Sequence, residues 1–335
     1  MSDVYFSKEI DRILDKIDFS KLGKKVAIKV HFGEKGCVTY ISPEFVKKVY
    51  DKVISTGRSA TLVECNVLYK GSRTNTTDHI KTAKEHGFTF APIEILDGEL
   101  GDEETDVKVD GIAKIAKLGA GIKKYDSMIV LTHFKGHIDA GYGGAFKNIG
   151  MGLANRSGKL SIHANTKPFI NPKKCTACKN CINHCNFNAI SIVDGKAKID
   201  PQKCSGCAMC IAVCNNSAVN VPWGSSSHEE VQKKVVDYSK GVLEIIPNTI
   251  FINFLINITK DCDCFGIIQK PIIPDVGILY SKDIVAIDKS SLDLVNKKSN
   301  NKFDKINNID KNRMIDYAFS RKLGNRDYKL IDLDR

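Results

Sequence analysis

The sequence predicts an α/β protein: a mainly parallel sheet with helices on both faces, interrupted by a small α+β insert. Three observations carry this. Short β-branched runs alternate with helical stretches on both sides of a cysteine-rich centre, the pattern of parallel strands joined by helical crossovers. Eight cysteines fall between residues 175 and 214 and form a repeat of their own. The chain has 335 residues, more than one small module needs and room for two units of about 100–200 residues.

The elements follow in order. KKVAIKVH (24–31) reads as a buried strand. Ser42 and Pro43 open a helix through Ser55, with Ser as cap, Pro in the first turn and Gly57 as the stop. SATLVEC (59–65) is a second strand, TTDHIKTAKEHG a helix ended by Gly87, PIEIL (92–96) a third strand and SMIVLTH (127–133) a fourth. Beyond the cysteines, Ser227 and Glu230 have capping-box spacing for a helix through about 244. TIFINFLIN (249–257) is apolar and β-branched, hence a central strand. Helices near 283–297 and 311–323 close the chain. Residues 1–166 and 223–335 are therefore expected to form one discontinuous α/β body around an insert at 167–222, whose junctions are marked by Pro168, Pro172 and Pro222.

Composition narrows the function. The formal net charge of +11 invites a polyanion, but Lys and Arg are spread along the chain without interleaved aromatics, which argues against nucleic acid. The longest mainly apolar run, IIPNTIFINFLINI, has 14 residues, short of the roughly 20 a spanning helix needs. A soluble, non-exported, cytoplasmic protein without a membrane partner is expected. In that compartment 12 cysteines point to metal or redox chemistry rather than disulfides.

CTACKNCINHC (175–185) and CSGCAMCIAVC (204–214) are each C-x2-C-x2-C-x3-C, and the copies continue as CNFNAI and CNNSAV at an offset of 29 residues. Three thiolates at this spacing wrap one corner of a cubane, while the fourth, further along the following turn, reaches the other cluster. Cys175, Cys178, Cys181 and Cys214 are thereby assigned to one [4Fe–4S] cluster. Cys204, Cys207, Cys210 and Cys185 are assigned to a second. Structural zinc is the minor alternative, because zinc ribbons pair two C-x2-C hooks across a longer gap. The segment resembles bacterial two-cluster ferredoxins, except that Asn186 and Asn215 stand where that pattern usually has proline.

Elsewhere the chemistry gathers at strand exits, where ligands bind in open α/β sheets. KVHFGEKG delivers His31 and Glu34. THFKGHIDAGYGGAFKNIGMG (132–152) delivers His133, Lys135, His137, Lys147 and Asn148 among six glycines. The glycines, Gly143 and Gly144 among them, read either as a floor whose freed N–H groups hold an anion or as close helix–sheet packing. ITKDCDCFG delivers Cys262 and Cys264. A C-x-C pair between two Asp is poorly suited to a disulfide, so a third metal or redox site is expected there, with His133 or His137 as co-ligand. Neither a Walker loop nor a dinucleotide fingerprint is present.

KVHFGE, THFKGH, GYGGAFKNIGMG, DCDC, PDVGILYSKDIVAID and the eight-cysteine segment together resemble the DUF362 family of iron–sulfur proteins. The resemblance implies an α/β body with a ferredoxin-type insert and supplies no reaction. The leading expectation is an oxidoreductase moving single electrons through two clusters, from a redox partner protein to a pocket holding a small anionic substrate. His133 and His137 would handle protons or metal, Lys135 and Lys147 would neutralise the anion, and His31, Glu34, Gly143, Gly144 and Asn148 would line the pocket. The competitors are a ferredoxin-like electron-transfer subunit without chemistry of its own, and a regulatory or metal-handling iron–sulfur protein.

Overall fold

The computed structural model describes residues 1–335. One eight-stranded sheet organises the body. Its strands are β1 Ser2–Ser7, β2 Lys25–Lys29, β3 Ser59–Glu64, β4 Ile93–Ile95, β5 Ser127–His133, β6 Thr249–Leu255, β7 Gly277–Ser281 and β8 Tyr328–Asp332. Across the sheet the order is β8-β1-β7-β6-β5-β2-β3-β4. Pairing is parallel from β6 to β4 and between β1 and β8, and β7 alone runs antiparallel to its neighbours β1 and β6. Strands from before and after the cysteine segment thus share one sheet, joined where β5 meets β6 with His133 opposite Phe254.

Both faces are covered, and the alternation of side chains in a strand explains how. Val26, Ile28, Ile129 and Leu131 join one core with Val46, Val49 and Val53 of helix α1 (Pro43–Ser55). Their neighbours Ala27, Met128 and Val130 point the other way. They meet α3 (Ala145–Gly150), α5 (His228–Ile245), α6 (Ile284–Lys298) and α7 (Asn312–Ser320) in a second core. The remaining body helices are α2 (Thr76–Glu85), α4 (Arg156–His163) and a single turn at Ile10–Leu14. The cap signals act as expected: Ser42 accepts from the Glu44 N–H, and Ser227 and Glu230 form a reciprocal capping box. No helix is long and apolar enough to cross a membrane.

Three strands have no counterpart in the sequence reading. β1 and β8 carry charged, half-exposed positions, as a sheet margin permits, and β7 is short and begins at Gly277, whose φ is positive. The hairpin Glu104–Lys108 with Ile115–Gly119 was likewise not expected.

Residues 169–170 pair with 219–220, so the cysteine segment leaves and rejoins the body at one place. Inside it, two short helices (Asn180–Asn183, Met209–Ala212) and a hairpin (Ile190–Val193 with Lys196–Ile199) enclose a hydrophobic cluster of its own.

The glycine-rich stretch departs from its anion-floor reading. A Cβ on Gly144 would lie 2.5 Å from Asp288 Oδ2, and one on Gly150 2.2 Å from the Val235 carbonyl oxygen. These glycines let α3 dock against α6 and α5. The N–H groups of Ala145 and Phe146 are not free either, since both donate to the Asp288 carboxylate at 2.8 and 3.1 Å. Gly143 differs: its Cβ would meet only the flexible Lys135 Cε at 3.4 Å and Lys147 Cδ at 3.7 Å. Overpacking a tight contact costs about 1–3 kcal/mol. Gly144→Ala is therefore expected to lower the melting temperature of the body by several degrees, and Gly143→Ala to leave it nearly unchanged, as read by thermal denaturation followed by circular dichroism.

Candidate functional site

The carboxyl ends of β2, β3, β5 and β6 open onto one cavity of about 600 Å³. Every residue named from the three strand exits lines it: His31 and Glu34 after β2, His133 through Asn148 after β5, and Cys262 with Cys264 after β6. The structure adds the exit of β3, which the sequence reading passed over. Tyr69 and Arg73 enter from there, after Glu64 ends the strand; Lys29 of β2 and Lys159 and His163 of α4 also line the cavity, His163 beside Trp223. The strand-exit rule that found the other three exits, applied to SATLVEC, would have found Arg73.

Asp263, between the two cysteines, is the hub. It is fully buried, and its carboxylate accepts from His133 Nδ1 at 2.8 Å, Lys135 Nζ at 2.9 Å and Thr39 Oγ1 at 3.0 Å. Its backbone carbonyl accepts from the Glu34 N–H at 2.9 Å. Burial opposes the charge, but His133 and Lys135 outweigh it and hold the carboxyl well below its ordinary range. Lys135, although buried, is raised by Asp263.

Several lining residues are committed to the wall. His133 Nε2 faces the carbonyls of Ile256 and Asn257 at 3.0 and 3.2 Å, so both its ring nitrogens are engaged by the protein. It positions Asp263 and has no nitrogen left for a metal. Glu34 is bound by Arg73 Nε at 3.2 Å, the Ser72 N–H at 2.7 Å and the Ser72 hydroxyl. Asn148 accepts from Lys29 Nζ at 2.8 Å and donates to Leu131 O and Thr132 Oγ1 at 2.8 and 3.0 Å. Its amide pins α3 to β5, with both N–H groups used.

The charges sort in the same way. Lys29 pairs with Glu64 at 2.7 Å, Arg73 with Glu34, and Lys135 with Asp263. Lys159 is held by the carbonyls of Gly152 and Ala154. Lys147 has no carboxylate partner, and its Nζ lies 3.4 Å from Cys262 Sγ. His137, Cys262 and Cys264 place ligand atoms within 4.8 Å of one another, close enough to share a metal ion. The neighbouring Cys264, then Lys147 and Lys135, push the Cys262 thiol down, while Cys262 and burial push Cys264 up. Of the two, Cys262 is the more acidic. Burial first, then Lys147, lowers His137 well below an ordinary histidine and keeps it neutral.

The other cysteines gather as two quartets. Cys181 is raised by burial and then by Cys214, Cys175 and Cys178. Cys210 is raised by burial and then by Cys207, Cys204, Cys181 and Cys185. A small cavity is bounded by Cys185, Cys204, Cys207 and Cys210. Both loops hold matching residues in the left-handed region: Ala177 and Gly206, Lys179 and Ala208, Asn188 and Ser217, each 29 apart. Backbone N–H groups of Ala189 and Ala218 donate to Cys185 and Cys214 at 3.4 and 3.2 Å, again 29 apart.

Fold and site together define a cysteine-rich α/β protein with a cationic strand-exit cavity. The chain belongs to the family described as "Domain of unknown function (DUF362)", which matches residues 26–293. Among solved structures, the lactate racemase apoprotein from Thermoanaerobacterium thermosaccharolyticum is similar at 10% identity and a TM-score of 0.42, over 76% of this chain and 51% of that one. A Thermotoga maritima protein is similar at 9% identity and a TM-score of 0.43, over 87% of this chain and 57% of that one. The chain spans little more than half the length of either. No curated protein matches it.

Removing one partner of a buried ion pair costs about 3–5 kcal/mol. Asp263→Asn is therefore expected to destabilise the body by about that amount at pH 7 in denaturant titration. Because the folded carboxyl titrates below the unfolded one, this stability is fully present above about pH 4 and is lost as pH falls through the lowered folded value. The gap between wild type and variant should accordingly be constant from pH 5 to neutrality and close only in acid.

Proposed function

We propose that residues 167–222 hold two [4Fe–4S] clusters and that the chain is an oxidoreductase passing their electrons singly to a small anionic substrate in the cavity. The donor chemistry fits the clusters. Four crowded cysteines per quartet would repel one another as thiolates unless a cationic centre held them, and backbone N–H groups directed at sulfur favour thiolates. Left-handed backbone at non-glycine residues costs of order 1–3 kcal/mol, which a bound group at each loop would offset. The clusters would supply one-electron chemistry, and an outside redox protein would recharge them.

One observation carries the link to the cavity. Leu68 belongs to the hydrophobic cluster that contains Cys175, Cys181, Cys210 and Cys214, and it also forms part of the cavity wall. Lys70, on the same wall, donates to the carbonyl of Ala212 at 3.3 Å, two residues beyond Cys210. The unpaired Lys147 supports an anionic substrate.

Anaerobically purified chain should contain about eight iron atoms, two four-iron clusters. Crossed ligation makes the cysteine pairs distinguishable. Cys178→Ala with Cys214→Ala should leave about four irons, whereas Cys178→Ala with Cys185→Ala should leave almost none. The reverse pattern would place the fourth cysteines on their own loops, and zinc in place of iron would remove the clusters altogether. For the substrate, dithionite-reduced chain should be reoxidised by a protein-free pool of small metabolite anions. Lys147→Met should slow this about tenfold with iron retained, a loss of about 1.4 kcal/mol in transition-state stabilisation. Reoxidation by added ferredoxin alone would instead make the chain an electron-transfer subunit.

A further inference from the structure

Cys262 and Cys264 lie outside both quartets, are not bonded to each other, and face the cavity with sulfurs within 4.8 Å. Cys262 is buried and Cys264 half-buried, and both line the cavity. Their loop is already fixed. Asp263 directs its carboxylate into the network with His133, Lys135 and Thr39, while the residues on either side both present sulfur to the cavity.

Proximity alone would make His137 the third ligand, but its hydrogen bonds decide otherwise. Nδ1 accepts the backbone N–H of Asp139 at 3.1 Å and of Ala140 at 3.0 Å. A neutral imidazole has one lone pair, and here it is spent on Nδ1, so Nε2 carries the hydrogen. Ligating histidines show the opposite arrangement, donating their second N–H to a carbonyl or carboxylate. His133 offers nothing either, with both nitrogens engaged. The cavity therefore provides two sulfur ligands and, next to them, N–H donors from His137 and Lys147.

We propose that Cys262 and Cys264 chelate one thiophilic divalent metal ion as a two-thiolate site, with His137 a hydrogen-bond donor beside the metal and not a ligand to it. Soft sulfur ligands select ions of the zinc and cobalt kind. Binding releases the thiol protons to solvent, and the two thiolates neutralise the ion. The remaining coordination positions open into the cavity, as at catalytic metal sites. A small anion there would bind the metal and accept from His137 Nε2–H and Lys147 Nζ. This deepens the reading of an anionic substrate in the cavity, but it does not require clusters in 167–222, because its metal is counted apart from their iron.

Cobalt is the probe. Chain purified without oxygen and freed of loosely held ions is titrated with Co²⁺. Wild type should take up one equivalent, with sulfur-to-cobalt charge-transfer bands in the difference spectrum. Cys262→Ser and Cys264→Ser should each weaken binding more than about a hundredfold. His137→Gln, which keeps an N–H donor, should cost about tenfold or less, the scale of an outer hydrogen bond, and keep the bands. Equal uptake by wild type and the double serine variant would overturn the site. With iron retained, loss of the bands in His137→Gln would overturn the two-thiolate form and make His137 a ligand. If a serine variant loses its iron, wild type still decides: bound Co²⁺ should shield Cys262 and Cys264 from iodoacetamide in peptide mass spectrometry. Undiminished labelling there would sink the proposal, while loss of iron alone would touch only the cluster reading.

Discussion

The buried carboxylate of Asp263 is the constraint around which the cavity is built. A charge with no access to water is tolerated only if donors surround it. Those donors come from separate segments: His133 and Lys135 after β5, Thr39 after β2, and the loop after β6 that carries Asp263 itself. They can converge only because β2, β5 and β6 are adjacent and parallel, so that their carboxyl ends lie along one margin. The sheet order and the carboxylate therefore specify each other. A shifted register between β5 and β6 would move His133 from beside Phe254 and leave the charge unpaired. With Asp263 anchored, its two neighbours are turned into the cavity, and a C-x-C stretch becomes a pair of sulfurs on one wall.

This explains which parts of the site are readable from sequence. Strand exits are legible because a run such as SMIVLTH announces both its buried strand and the polar residue that ends it. Asp263 is not legible, since an aspartate between two cysteines reads as acidic flank until the groups across the margin are known. The glycines mislead for a related reason. Six in twenty residues signal that a backbone comes close to something, but the something at Gly144 is Asp288 from α6, more than a hundred residues away. In the fold, the central parallel strands have continuous apolar runs and were readable. β1 and β8 are held by pairing at the margin of the sheet, so their mixed composition carries little period-2 signal.

The cysteine segment is the opposite case, because its repeat is local. Spacing alone marks the quartets, and the backbone repeats with the letters: left-handed residues recur at the same offset as the cysteines, and so do the N–H bonds to Cys185 and Cys214. What the repeat could not reveal is its attachment. The strand pair at 169–170 and 219–220 brings the ends together, and Leu68 and Leu160 of the body complete the segment's core. The insert is therefore packed on the cavity wall and does not hang on a tether.

The four histidines of the cavity show why residue type alone overstates its chemistry. His133 meets acceptors at both nitrogens. His31 meets donors at both, the Gly33 N–H at 3.0 Å and Arg73 Nη1 at 3.2 Å. Burial, then Arg73 and Lys135, holds His31 well below the ordinary range, so it stays neutral in the wall. In His137, Nδ1 accepts two backbone N–H groups, and in His163, Nδ1 faces Asp139 at 3.4 Å; the other nitrogen of each has no partner within the protein. The cations narrow likewise. Three of them sit in buried pairs, and Lys70 and Lys159 are tied to carbonyls, which leaves Lys147 as the cation with neither kind of partner. Most of the polar lining thus serves to hold its own geometry. Beside the two sulfurs, the unspent valence is one imidazole N–H and one ammonium, and a ligand of the sulfurs would meet both.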